Sequence, residues 1–249
     1  MSDQDILIKR DGAVLEIRFN RPAKKNAITN AMYAAMADAL EQGGRDDGVR
    51  AFLYTAEGDF FTAGNDIKDF AAQASGAFSG PRHVARFLER GIEVEKPVVA
   101  AVQGHAVGVG ATMLFQCDLV YIAEHAKLTT PFVDLGVVPE NASSITMVER
   151  LGYARAFAML GLGERLTGKD AAAFGLANAA LPAADVEARA REAAHTLAQK
   201  PPEALRITKS LLRDRARLAS RMREEGDIFA ERLKSPEAMA AFAAFLQRG

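Results

Sequence analysis

The spacing of apolar residues alternates between a strand period and a helix period up to about residue 185. Runs in which apolar residues alternate or are continuous predict strands, and apolar residues three and four apart predict helices. Strands are predicted at residues 6–10, 14–19, 51–55, 97–102, 118–123, 127–130 and 178–181. Helices are predicted at residues 30–42, 81–95, 104–116, 205–229 and 236–247. This order of strands and helices is typical of an α/β fold.

Turn-forming residues separate the predicted strands and helices. Asp11-Gly12 separates the first two strands and predicts a tight hairpin turn, and Gly43-Gly44 predicts the end of the first helix. Residues 60–66 predict a glycine-containing loop that leads into a short helix. From Ala142 onward the pattern is almost entirely helical.

The change in pattern divides the chain into an α/β core, residues 1–185, and a C-terminal helical region, residues 186–249. The last helices of this region are rich in Ala, Leu, Phe and Met and end in the apolar run 240–246. Helices this apolar need to be covered, either by the rest of their own chain or by another subunit. The pattern leaves both alternatives open.

The composition is that of a soluble globular protein, since 49% of the 249 residues are hydrophobic and 25% are charged. The net charge of −1 argues against nucleic-acid binding, which needs a basic excess. The single cysteine, Cys117, excludes an intrachain disulfide, and the four scattered histidines give no support for a metal site. The N-terminal residues lack an apolar signal segment and no stretch is long enough to span a bilayer. We therefore expect a cytoplasmic protein that does not contact membranes.

Two glycine motifs lack features that nucleotide binding requires. Gly163–Lys169 has GxxxxGK spacing, but Asp170 stands where a P-loop has Ser or Thr. Gly104–Gly110 follows a strand but lacks the GxGxxG spacing of a Rossmann turn.

The segment Phe61–Asp66 and the segment Gly104–Gly110 instead share another property. In each, small residues between a strand and a helix leave backbone N–H groups uncovered. Two such groups that converge on one carbonyl oxygen form an oxyanion hole. A tight turn is the alternative interpretation of either segment alone.

Short motifs follow one another along residues 5–245. They are Asn20-Arg21-Pro22, Asn26-Ala27, Phe61–Ile67, Lys96–Gly108, Cys117-Asp118, Thr130-Pro131, Leu135-Gly136, Leu166–Gly168 and Gly175-Leu176. In this order and spacing they resemble the crotonase (enoyl-CoA hydratase/isomerase) superfamily. The resemblance implies a crotonase-like spiral of ββα turns with a C-terminal helical trimerisation region. It also implies an acyl-CoA thioester as the ligand, a homotrimer or dimer of trimers, and no cofactor apart from the coenzyme A of the substrate.

The resemblance assigns roles to individual residues. It implies that the backbone N–H groups of Asn65 and Val109 are the oxyanion donors, with Val109 in place of the more usual Gly. The residues it assigns to substrate and CoA binding are Ala23, Lys24, Ala63, Gly64, Asp66, Ile67, Lys68, Gly108, Phe132 and Leu135. For Lys24 the alternative is a position in a solvated loop.

The acid/base group is implied by the same resemblance. The hydratases of the family carry two Glu residues at positions that are Thr112 and Phe132 here. Residues 130–144 instead resemble peroxisomal-type delta(3)-delta(2)-enoyl-CoA isomerases, in which the Glu after the second Pro is the base, and this Glu is Glu140. The alternative for Glu140 is a first-turn acid of the helix that starts near Ala142, and Asp134 is a weaker candidate for the base.

The implied function is therefore an isomerase of fatty acid metabolism, in the reactions of β-oxidation. It shifts a double bond from the 3 to the 2 position of an enoyl-CoA through an oxyanion-stabilised dienolate. The alternatives are an enoyl-CoA hydratase or another crotonase-type reaction on an acyl-CoA thioester, a CoA-binding protein without catalysis, and a structural oligomer. Two exposed glycine-rich loops have little structural use, which disfavours the last of these.

Overall fold

Two β-sheets and a set of helices make up the computed structural model of the protein, which describes residues 5–67, 69 and 80–246. The strands are β1 (Ile6–Asp11), β2 (Val14–Phe19), β3 (Ala51–Ala56), β4 (Phe60–Thr62), β5 (Val98–Val102), β6 (His105–Val107), β7 (Leu119–Ala123), β8 (Lys127–Thr129), β9 (Leu166–Thr167) and β10 (Ala179–Leu181). The helices are α1 (Asn30–Arg45), α2 (His83–Glu93), α3 (Val109–Thr112), α4 (Ser143–Leu151), α5 (Tyr153–Leu162), α6 (Gly168–Ala173), α7 (Ala183–Ala198), α8 (Pro202–Leu212), α9 (Arg215–Arg232) and α10 (Pro236–Leu246). Short 3-10 turns cover Pro22–Lys24, Met113–Gln116 and Val133–Leu135.

Successive strands along the chain are divided between the two sheets. The larger sheet has the order β1-β2-β3-β5-β7-β10, with every neighbouring pair parallel except the β1–β2 hairpin. The strand that follows each of β3, β5 and β7 lies in the smaller sheet, of order β4-β6-β8-β9. Each of the pairs β3–β4, β5–β6 and β7–β8 thus adds one strand to each sheet. This winding confirms the predicted spiral of ββα turns.

The larger sheet forms the centre of the core. All residues of β3 and β5 are buried, as expected for parallel strands that are covered on both faces. α7 packs across β3, β5 and β7 and buries the stripe Val186, Ala190, Ala193 and Ala194. The predicted boundary after residue 185 therefore falls within a helix that packs on the sheet, and the division of the chain into two parts stays a prediction.

Two short strands lie where the sequence predicts loop or helix. β4 lies in the glycine-containing segment 60–66, and β6 lies at the start of the predicted helix 104–116. Three residues are too few to show an apolar period, so hydrogen bonding to neighbouring strands decides their conformation. Both strands belong to the smaller sheet, and both lead directly into candidate oxyanion loops.

Two helix boundaries also differ from the prediction. The predicted helix 205–229 is two helices, because the chain breaks at Arg213 and Asp214, and the Asp214 side chain caps α9 by accepting the Arg217 N–H at 3.0 Å. α1 continues through Gly43-Gly44 to Arg45. Gly43 is tightly packed, since a Cβ atom there would lie 2.7 Å from both Leu15 Cδ2 and Phe52 Cε1. This glycine serves close packing inside the helix and does not end it.

Among the described helices, none combines the length and the apolarity needed to cross a lipid bilayer.

The continuation of α1 predicts opposite effects for its two adjacent glycines. Gly44→Ala should raise the free energy of unfolding by about 0.5–1 kcal/mol, because Gly44 is an exposed helical position with no atom near the added methyl group. Gly43→Ala should lower it by about 1–3 kcal/mol, because the methyl group overpacks the core. Urea unfolding of both variants measures the difference. If Gly44→Ala were the destabilising variant, the helix would end where the sequence predicts.

Candidate active site

The candidate active site is built on the carboxyl ends of β4, β6 and β8. Because these three strands are parallel, the segments that follow them emerge at the same edge of the smaller sheet. The Gly108 N–H donates to the Thr129 carbonyl oxygen at 2.8 Å, which ties the second of these segments to the third. The first segment is tied to Ile28, whose N–H donates to Gly64 and whose carbonyl oxygen accepts from Asp66.

Glycine allows the first two segments to touch. Gly64 has a φ of +84°, and a Cβ atom at this position would lie 2.7 Å from the carbonyl oxygen of Val107. Gly110, on the second segment, lies against the first segment, and a Cβ atom there would lie 2.3 Å from Thr62 Cγ2. Any side chain at either position would push the two segments apart. The structure thereby brings Gly64 and Gly108, two of the predicted substrate-binding positions, onto adjoining loops.

The two predicted oxyanion donors lie on these adjoining loops. Val109 is the first residue of α3, and the N–H groups of a first helical turn have no acceptor within their own helix. Within the described part of the chain, neither the Asn65 N–H nor the Val109 N–H donates a hydrogen bond. Neither group is thus committed to an acceptor of this chain among the described residues, as an oxyanion donor requires.

Glu140 is a buried carboxyl group beside the second loop. Its side chain accepts a hydrogen bond of 3.1 Å from the hydroxyl of Thr112, which lies on the helix that begins at Val109. Burial raises the pKa of Glu140 to about 7, against the opposing effect of the Thr112 hydrogen bond, and the nearby charge of Glu225 raises it further. A carboxyl group with this pKa exchanges a proton readily near neutral pH.

The Glu140 side chain does not cap the next helix. α4 begins at Ser143 with Ala142 as its N-cap residue, and no side chain of the N-cap accepts a hydrogen bond there. Asn141 and Ala142 have φ values of +63° and +54°, so the chain turns through two left-handed residues directly after Glu140. The turn directs the carboxylate toward Thr112 and away from the first turn of α4.

Tyr33 is a part of the site that the sequence analysis missed. Its hydroxyl donates to Oδ1 of Asn65 at 2.6 Å, and the side chain is buried. Burial, together with the charge of Glu140, raises the pKa of Tyr33 well above its usual value, so the hydroxyl keeps its proton and remains a donor. In the sequence Tyr33 is one more residue on the buried stripe of α1, and nothing in that pattern marks its hydroxyl as functional.

The predicted CoA-binding residues form a neighbouring surface. The 3-10 turn that contains Ala23 and Lys24 is exposed, and the carbonyl oxygen of the next residue, Lys25, accepts the Ala63 N–H at 2.9 Å. Asp66 pairs with Arg21 at 2.7 Å. The structure thus brings Ala23, Lys24, Ala63 and Asp66 together.

Two further predicted CoA-binding residues lie beyond Asp66. Ile67 is exposed, as a residue that meets a ligand at the surface would be. Lys68 lies outside the described residues.

The remaining predicted residues lie beside the C-terminal helices. Phe132 is buried in a small apolar cluster with Val137, Leu233 and Ala238, and the half-buried Leu135 packs against it. Asp134, the weaker candidate for the base, is exposed on the 3-10 turn and does not join Glu140. Among the residues that the structure describes, no three His, Cys, Asp or Glu side chains lie close enough together to hold a metal ion.

The chain is similar to known proteins over nearly its whole length. The family model described as "Enoyl-CoA hydratase/isomerase" matches residues 9–248. The chain is 36% identical to enoyl-CoA delta isomerase 2 of Rattus norvegicus over 98% of its own length, and it spans 63% of that longer relative. It is 32% identical to a probable enoyl-CoA hydratase of Bacillus subtilis, over 95% of this chain and 92% of the relative. The structure of OdaA from Pseudomonas aeruginosa is 44% identical, with a TM-score of 0.93, and the match covers 98% of this chain and all of OdaA.

The raised pKa of Glu140 has a consequence for stability. The folded protein keeps this proton up to about pH 7, whereas the unfolded chain releases it near pH 4.5, so the wild type loses stability as the pH rises between these values. Glu140→Gln carries no such proton. Its stability relative to the wild type should therefore improve from about pH 5 to about pH 8, by at most about 3 kcal/mol. Urea unfolding at both pH values measures this, and a difference that does not change with pH would contradict the burial of an ionisable group at Glu140.

Proposed function

Because the chain belongs to the enoyl-CoA hydratase/isomerase family, we propose that it shifts the double bond of an enoyl-CoA thioester from the 3 to the 2 position. The observation that carries the proposal is the setting of Glu140. It is a buried carboxyl group with a pKa of about 7, and it is hydrogen-bonded to the helix that begins at Val109. The positions at which the family's hydratases carry their two Glu residues hold Thr112 and Phe132, neither of which exchanges protons.

The proposed reaction needs one base and one oxyanion site. The α-proton of a 3-enoyl thioester is acidic because it is both allylic and adjacent to the carbonyl group. Glu140 removes this proton, and the electron pair moves through the carbonyl group to give a dienolate. The N–H groups of Asn65 and Val109 stabilise its oxyanion, each by about 2.7–4 kcal/mol in the transition state. Glu140, now protonated, returns the proton to the γ-carbon and gives the conjugated 2-enoyl thioester.

The surroundings of Glu140 suit both halves of this transfer. Thr112 donates to the carboxylate and so stabilises the ionised form that removes the proton. Burial favours the neutral form, which makes the protonated group a good acid for the return step. Tyr33 holds the side chain of Asn65 and thereby steadies the loop that carries one oxyanion donor.

Hydration of a 2-enoyl-CoA is the alternative reaction, and similarity to a relative named as a hydratase supports it. Hydration requires a water molecule that is held and activated between two acid/base groups. The two reactions are therefore distinguished by whether the enzyme needs a second carboxylate in addition to Glu140. A role in β-oxidation and a cytoplasmic location also remain predictions.

Replacement of the base tests the proposal. Glu140→Gln keeps the size of the side chain but removes the base, so kcat for isomerisation of 3-hexenoyl-CoA should fall by at least about 10²-fold. KM should change little, because the CoA contacts lie elsewhere. In the wild type, kcat/KM should increase with pH and level off above about pH 7, as Glu140 ionises. Ultraviolet absorbance of the conjugated thioester measures the rate.

Asp134→Asn is the matched control, since it neutralises an exposed carboxylate in the same segment. It should retain nearly all of the activity. Near-wild-type isomerisation by Glu140→Gln would disprove the role of Glu140. Hydration of crotonyl-CoA by the wild type, at a rate far above its isomerisation rate, would favour the hydratase instead.

We also propose that the protein is a homotrimer or a dimer of trimers. Large apolar side chains stand exposed on two helices, Tyr153 and Leu162 on α5 and Leu211 and Leu212 on α8. Apolar surface of this kind is usually covered in an oligomer. Light scattering at micromolar concentrations should give three or six times the chain mass of 26.7 kDa. A mass of one chain across that concentration range would refute the proposal.

A further inference from the structure

The helix that follows Glu140 lacks the side-chain cap that usually stabilises a helix N-terminus. α4 is a nine-residue helix whose N-cap position is occupied by Ala142, which has no side-chain acceptor for the first N–H groups. The two residues after Glu140 are also left-handed without being glycine. Such a backbone persists only when its surroundings hold it in place.

Glu225 supplies the missing acceptor from another helix. It lies on α9, and its Oε1 accepts the Ser144 N–H at 3.0 Å. Glu225 is only 5% exposed. Its second oxygen, Oε2, is buried and has no hydrogen-bond partner within the described residues. A carboxylate in this place also interacts favourably with the positive end of the α4 dipole.

The turn is held on its other side as well. Nε2 of Gln116 donates to the carbonyl oxygen of Asn141 at 2.6 Å, so contacts from two elements fix the residues between Glu140 and α4. Gln116 in turn lies in the 3-10 turn that continues α3. Hydrogen bonds thus tie the residues directly after Glu140 both to the 3-10 turn that continues α3 and to α9.

We propose that Glu225 is a positioning residue of the active site, which caps α4 from α9 and holds the left-handed turn that places Glu140 beside Thr112. This inference rests on the proposed function, in which Glu140 is the base. Glu225 touches neither the substrate nor the reacting atoms in this assignment. It acts through the backbone, by fixing where the chain leaves Glu140.

Charged and titratable groups face this turn from several elements, and one of them, Arg213, donates to Gln116. The charge of Glu225, on α9, raises the pKa of Glu140. The charge of Glu140 in turn raises the pKa of Tyr33, on α1. Burial raises the pKa of Glu225, while its hydrogen bonds to Ser144 and the charge of Arg221 oppose that increase. Glu225→Gln and Glu225→Ala both remove the charge that raises the pKa of Glu140, but only Glu225→Ala should also loosen the turn and let water reach Glu140, so the pKa should fall further in Glu225→Ala.

Three variants test the proposal in the full-length protein. Glu225→Ala removes the acceptor, and kcat for 3-hexenoyl-CoA should fall at least about 10-fold with little change in KM, because a small displacement of a base is costly. Glu225→Gln keeps a carbonyl acceptor for the Ser144 N–H and should restore most of kcat. Asp214→Ala removes the cap of α9 itself and should lower the melting temperature while leaving kcat unchanged.

Two measurements on the ligand-free protein separate this proposal from the proposed function. Hydrogen exchange at the Ser144 amide should be fast in Glu225→Ala and slow in the wild type and in Glu225→Gln. The carboxyl carbon of Glu140, assigned by NMR with Glu140→Gln, should titrate at a lower pH in Glu225→Ala than in Glu225→Gln, which loses the same charge but keeps the acceptor. If the wild type does not isomerise 3-enoyl-CoA, the proposed function fails, and these two measurements still decide the role of Glu225. A folded Glu225→Ala protein with wild-type kcat and Ser144 protection, and with the Glu140 titration of Glu225→Gln, would overturn the inference.

Discussion

The carbonyl oxygen of Val107 lies where a side chain on residue 64 would have to be, and this close approach determines how the candidate site is assembled. Only glycine accepts both the contact and the positive φ at Gly64. The approach is possible because β4 and β6 are parallel neighbours whose ends leave the sheet side by side. This contact sets the loop that carries the Asn65 N–H group against the loop that carries Val109, and further contacts then hold the Glu140 carboxyl group beside Thr112.

Those further contacts are hydrogen bonds between residues that are far apart in the chain. Tyr33 joins α1 to the first loop, Thr112 joins α3 to Glu140, and Gln116 and Glu225 hold the turn behind Glu140. Glu140 has no cationic partner among the residues that influence its pKa, so its burial is not offset by an ion pair. A buried carboxyl group of this kind makes the folded state less stable at high pH, and the same burial makes it a usable base near neutrality.

Local sequence signals predicted the parts of the fold that depend on local chemistry. The Asp11-Gly12 hairpin forms as expected, and Asp170, which argued against a P-loop, forms a reciprocal cap on α6 with Thr167. The motifs also pointed to the loops of Asn65 and Val109, which the structure places side by side. Tyr33 and Glu225 could not be found in this way, because each lies on a helix with an ordinary pattern and acquires its partner only through tertiary packing. The short strands β4 and β6 were missed for the same reason, since pairing with neighbouring strands and not local period defines them.

The spiral gives each of its turns one loop at the candidate site, so the groups that the proposed reaction requires lie on separate segments of the chain. The loops after β4 and β6 carry the two candidate backbone donors, whose geometry depends on glycines and strand pairing. The segment after β8 leads to Glu140, the proposed base. The acid/base side chain can change at positions such as Thr112 after β6, or Phe132 and Glu140 after β8, while the backbone N–H groups of Asn65 and Val109 stay in place. Relatives named as isomerases and as hydratases can therefore share one scaffold and differ in the side chains that it presents.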